Sequence, residues 1–140
     1  MPNEVRVRVV GVLEEILESD GHEQRVPVVI LRDPAERELR LRVGSCEGFA
    51  IHIAVEERLA PRPLTHDLAL RLIERLSAKL GRVVIDDVSN ESTHATMHLQ
   101  TPRGALALDV TPGDAVALAL RAETPIYVAE KLLEAGADIP

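Results

Sequence analysis

The sequence predicts a single α+β domain, and three observations carry that expectation. The chain is 140 residues long, the usual size of one domain. Hydrophobic residues make up 46% and charged residues 28%, which suits a folded globular chain and not a disordered one. Apolar residues recur with period two in several short runs and with helical spacing in others, and Gly- and Pro-containing turns separate them.

Val5, Val7 and Val9 alternate with Arg6 and Arg8, a half-buried strand. Gly11 suggests a bulge, and the pattern resumes to Leu17. Ser19-Asp20-Gly21-His22 is a turn. Val26 to Leu31 reads as a buried strand with Pro27 near its start. Leu39, Leu41 and Val43 alternate with Arg40 and Arg42, a third strand. Ser45 caps a helix running to about Leu59, apolar nearly all round and so buried or interfacial. Thr65 caps a second helix over 66–80, with Leu68, Leu72, Ile73, Leu76 and Leu80 as its core stripe and Gly81 as its stop.

Three strands follow, 83–88, 94–100 and 105–110, joined by tight turns. Thr111-Pro112-Gly113-Asp114 opens a helix through Leu120, close to a capping box. Pro125 to Val128 is a short strand. Ala129 to Ala135 is a last helix, stopped at Gly136.

Composition narrows the function. Phe49 and Tyr127 are the only aromatic residues of this type, and there is no Trp. That excludes recognition of nucleic acid by base stacking, an aromatic cage and a membrane aromatic belt. The core must be aliphatic, with Phe49 and Tyr127 expected as fillers. A single cysteine, Cys46, excludes an intrachain disulfide or a Cys-based zinc site within one chain. No apolar run approaches the ~20 residues of a membrane span, and the chain enters a strand pattern without a leader, so a cytoplasmic protein is expected. Net charge is -7 and pI about 5.2, against the usual footprint of a nucleic-acid binder.

Glu47, His66, Asp67 and Asp114 fall in the first turns of predicted helices, with Asp109 just ahead of the last of these. Helix N-termini favour carboxylates and phosphates. One reading is a carboxylate site for Mg²⁺ or Mn²⁺ with His66 as acid/base. The other is plain capping. Asp86 and Asp87 point to opposite faces of a strand and do not chelate together. His94 and His98 share a face but stand ~13 Å apart, so they do not ligate one metal. Arg6, Arg8, Arg40 and Arg42 form a cationic patch if their strands are neighbours. Arg71, Arg75 and Lys79 form a second basic stripe. Cys46 has no Cys-His-Asn arrangement around it and is not read as a nucleophile.

Three segments in this order resemble the bifunctional nuclease (DNase-RNase) domain family: Val43-Gly-Ser-Cys-Glu-Gly-Phe-Ala-Ile51, Arg62-Pro-Leu-Thr-His-Asp-Leu68, and Leu108-Asp-Val-Thr-Pro-Gly-Asp-Ala-Val-Ala-Leu-Ala-Leu-Arg121 followed by Pro125-Ile-Tyr-Val128. The resemblance covers roughly residues 5–136. It implies a compact single domain with a mixed sheet flanked by helices, self-association into a homo-oligomer, and nuclease activity on DNA and RNA. The motif's polar positions fall on Glu47, His66, Asp67, Asp109 and Asp114. Two departures stand out: Thr111-Pro112-Gly113-Asp114 replaces the family's usual Arg-Pro-Ser-Asp, and Gly48 stands where Ala is usual. The combined expectation is a phosphodiesterase whose metal is held by Glu47, Asp109 and Asp114. His66, oriented by Asp67, shuttles protons, and Arg62, Arg71 and Arg75 hold the backbone. The alternative is a non-catalytic oligomeric binding or scaffold domain.

Overall fold

A computed structural model of the chain describes residues 3–135 and 138–140. The elements run β1 (Glu4–Ser19), β2 (His22–Arg32), β3 (Glu38–Arg42), α1 (Ser45–Val55), α2 (Thr65–Arg75), β4 (Lys79–Ser89), β5 (Ser92–Thr101), β6 (Gly104–Val110), α3 (Pro112–Ala122), β7 (Ile126–Ala129), α4 (Glu130–Ala135) and β8 (Asp138–Ile139). The strands form one 8-stranded sheet in the order β6-β5-β4-β7-β1-β2-β3-β8. β4 with β7 and β3 with β8 are parallel pairs, and the other pairs are antiparallel. The sheet is therefore mixed and the fold α+β.

Period two decides which side of the sheet is covered. Val7, Val83, Ile85, Ala95, Met97, Ile126 and Val128 share one core with Ala115, Val116 and Ala119 of α3. α1 packs on β1, β2 and α3, while α3 also touches β4, β5 and α2. The core is aliphatic as composition requires, and neither aromatic ring joins it. Phe49 is instead 57% exposed on α1, because Ala50 and Ile51 take the buried positions of that helix. Tyr127 lies between Val84 and Arg6 on the other sheet face, with the Arg82 guanidinium 5.8 Å from its ring centre.

The bulge expected at Gly11 is present, as a register shift between Val9 and Gly11. Other boundaries move. α1 ends at Val55 and α2 at Arg75, both earlier than the periodicity predicts. Each closes with an N–H bonded to the carbonyl five residues back, Arg58 to Ile53 and Ala78 to Ile73. Glu57 and Ser77 take the left-handed conformation at those ends. Gly81 does not stop a helix; it lies at a register shift within β4. Of the expected stripe, Ile73 packs against the core and Leu80 is buried, though on β4, while Leu68, Leu72 and Leu76 are exposed and Ala69 and Leu70 face the core in their place. The cationic patch of β1 and β3 does not form, since β2 lies between them and Arg8 and Arg42 pair with Glu36 and Glu15. The expected stop at Gly136 lies outside the described residues. Among those residues no helix is long and apolar enough to cross a membrane.

Candidate functional site

Arg62 and Pro63 lead an extended Leu64 into the first turn of α2. Leu64 has no side-chain oxygen to cap that turn, so Asp67 reaches back and accepts the Leu64 N–H at 2.8 Å. The other Asp67 oxygen accepts Nε–H of Arg121 at 2.7 Å. Arg121 also donates to the Ala117 carbonyl at 3.0 Å and the Ala50 carbonyl at 3.2 Å. One guanidinium thus ties α1, α2 and α3 together. Burial alone would raise the Asp67 carboxyl. The Leu64 N–H, the Arg121 hydrogen bond and the charges of Arg121 and Arg71 outweigh it and hold the group below the usual carboxylate range.

Asp67 is therefore committed to Arg121 and does not orient His66, contrary to expectation. Asp114 does. Its Oδ1 lies 2.7 Å from Nε2 of His66, and its Oδ2 accepts the Thr111 hydroxyl at 2.7 Å. His66 is 8% exposed. A carboxylate only accepts, so Nε2 is the donor in this hydrogen bond. Among the described residues Nδ1 has no hydrogen-bond partner, and no buried side-chain nitrogen or oxygen is left unpaired, so Nδ1 touches solvent at the edge of a nearly buried ring. Thr111, the expected N-cap, makes no side-chain cap bond and serves Asp114 instead.

Glu47, in the first turn of α1, lies against the start of α3. A Cβ on Gly113 would stand 2.8 Å from Glu47 Cβ and 3.1 Å from Val43 Cγ1. Glycine at this position lets the two helix starts touch. Asp109 is elsewhere. It pairs with Thr96 across β6 and β5, on the sheet face opposite Met97 and Leu108, because period two turns it away from the helices. Among the described residues no group of three His, Cys, Asp or Glu side chains is placed to hold a metal ion. The seat expected from Glu47, Asp109 and Asp114 is not assembled within one chain.

Beside the α2 start is a cleft of about 630 Å³ between the end of α1, the 56–64 connection, α2 and the end of α3. Arg58, Arg62, Arg71 and Arg121 line it, matched by the carboxylates of Glu57, Asp67, Glu74 and Glu123, and Arg121 is already paired with Asp67. Arg75 does not; it belongs to a shallower groove with Leu68 and Leu72. The three arginines expected on the backbone thus divide into two and one. Sequence reasoning missed Arg121 and the Thr111 hydroxyl. The signal for Arg121 was its spacing of seven from Asp114, which puts both on one face of α3.

A family described as bifunctional nuclease domain matches residues 29–139. Two proteins of Mycobacterium tuberculosis, Uncharacterized protein MT1877 of strain CDC 1551 / Oshkosh and Uncharacterized protein Rv1829 of strain ATCC 25618 / H37Rv, are each 37% identical over 136 residues. Each alignment covers 96% of this chain and 77% of the relative.

Proposed function

The chain belongs to the bifunctional nuclease domain family, and on that premise we propose that it cleaves phosphodiester bonds of nucleic acid with the His66–Asp114 pair as its proton-handling centre. The observation that carries this reading is the division of labour on the imidazole. Nε2 is held by Asp114 while Nδ1 stays open to solvent. An imidazole held at one nitrogen by a carboxylate and bearing a second, unbonded nitrogen is the arrangement that general acid–base catalysis uses. In the reaction Nδ1 takes the proton from the attacking oxygen, a water or the ribose 2′-hydroxyl, and returns it to the leaving oxygen. Asp114 stabilises the imidazolium formed between the two events. The Thr111 hydroxyl fixes the carboxylate. In the adjoining cleft, whose lining is otherwise balanced between arginines and carboxylates, Arg62 and Arg71 are the side chains offered to phosphate. Among the described residues Mg²⁺ or Mn²⁺ has no three-ligand seat within one chain, and no step is routed through it.

The test is cleavage of single- and double-stranded DNA and RNA by the purified chain. His66→Ala lowers kcat by about 100-fold or more. Asp114→Asn lowers it in the same direction, and Arg62→Ala raises KM with a smaller effect on kcat. Rates unchanged by His66→Ala remove the pair from the mechanism. A second reading, the non-catalytic binding domain, is favoured by one fact: both oxygens of Asp114 are already bonded within the protein. Intact substrates in every assay would favour it.

A further inference from the structure

We infer that β6 is a self-pairing edge through which two copies of this chain join their sheets. β6 is the last strand of the sheet on its side, so one flank of its backbone is unpaired over the 7 residues of Gly104–Val110. Soluble proteins blunt such an edge with charge, proline or a cover. β6 carries neither Lys, Arg nor Pro, and its one charge is Asp109. Leu106 and Leu108 stand 46% and 41% exposed on it, on the same sheet face as Leu99 and Met97 of the core.

The sequence of β6 is complementary to itself. An antiparallel pair centred on Ala107 uses the whole strand, Gly104 opposite Val110. It sets Leu106 opposite Leu108 of the second copy, twice, on one face. On the other face Asp109 meets Ala105, so like charges do not oppose. Arg103, exposed in the turn before β6 and without an ion pair among the described residues, falls on the diagonal from Asp109 of the second copy, within reach of a long side chain. The opposite edge of the sheet is the 2-residue β8, too short to serve as the partner. A second copy of β6 is the occupant, and the contact closes as a two-fold dimer and does not propagate. This assignment is independent of any nuclease activity.

Sedimentation velocity or light scattering on the full chain tests it. The wild type is expected to run at the mass of two chains at tens of micromolar. Leu106→Glu with Leu108→Glu is expected to run at one, with circular dichroism unchanged. A wild-type monomer at that concentration, or a folded variant still dimeric, overturns the proposal. If the double variant does not fold, a charge cycle decides. Arg103→Glu alone weakens the dimer about tenfold, and adding Asp109→Arg restores it. An Arg103→Glu chain that dimerises as tightly as wild type also overturns it.

Discussion

Gly48 shows how a single missing side chain is fixed by its neighbours. It lies inside α1, where propensity alone favours Ala by about 1 kcal/mol. A Cβ there would stand 2.5 Å from Pro27 Cβ and 2.7 Å from Pro27 Cγ on β2. Proline cannot swing aside, since its ring is closed on its own backbone. Sterics should win. Gly48→Ala is expected to destabilise the chain by about 1–3 kcal/mol, the reverse of the propensity effect, and urea unfolding reads the sign directly. Gly113 repeats the lesson against Glu47. Gly48 and Gly113 are thus accounted for by packing, while Thr111 in place of the family's Arg is not. The motif residues were legible in the sequence because they sit at helix starts. Their partners were not, because Asp114 reaches back to a histidine 48 positions away.

The helices are held to one another by polar ties as much as by apolar faces. The side chain of Arg121, 8% exposed, bonds a carboxylate on α2 and a carbonyl on α1. Arg121→Ala is expected to cost about 2–4 kcal/mol, since it also leaves Asp67 without its cation. The sign of the pH dependence follows from the depressed Asp67 carboxyl. Its contribution is fully present above the unfolded value of about 3.9, and is lost as pH falls through the lower folded value. Asp67→Asn should therefore flatten the fall of stability below about pH 4, measured by urea midpoints at a series of pH values. At this scale the sequence was clear about where helices begin and poor about where they end. Ser, Thr and Asp beside a break mark the starts. The ends of α1, α2 and α3 place Glu57, Ser77 and Glu123 in the left-handed conformation, where the usual signal is glycine. The α2 stripe was misread for a related reason. Leu68, Leu72 and Leu76 repeat every four residues, but the helix turns its smaller Ala69 to the core.

For the molecule as a whole, charge sets how nucleic acid can be held. Net charge is -7, and most arginines are spent on internal ion pairs such as Arg37 with Asp33 and Glu130. With Arg62 and Arg71 as the phosphate contacts, the logarithm of duplex affinity should fall against log salt with a slope of about -2. Fluorescence anisotropy over a salt series measures it. A slope beyond about -4 would reveal a cationic surface other than this cleft. The fold class, the strand runs and the aliphatic core were readable from period and composition. The strand order was not, because nothing local to Ile126–Ala129 announces where that strand inserts.

That insertion has a kinetic consequence. β7 is 4 residues long, and it is the link between β1 and β4, touching both. Before it docks, β1–β2–β3 and β4–β5–β6 are two separate meanders that fold from local hairpins. They become one sheet when a segment beginning 126 residues into the chain slides between them. Hairpin formation is fast and this long-range closure is slow. A single slow refolding phase that Ile126→Gly and Val128→Gly slow further, with the hairpins already formed, is the expected signature in stopped-flow circular dichroism.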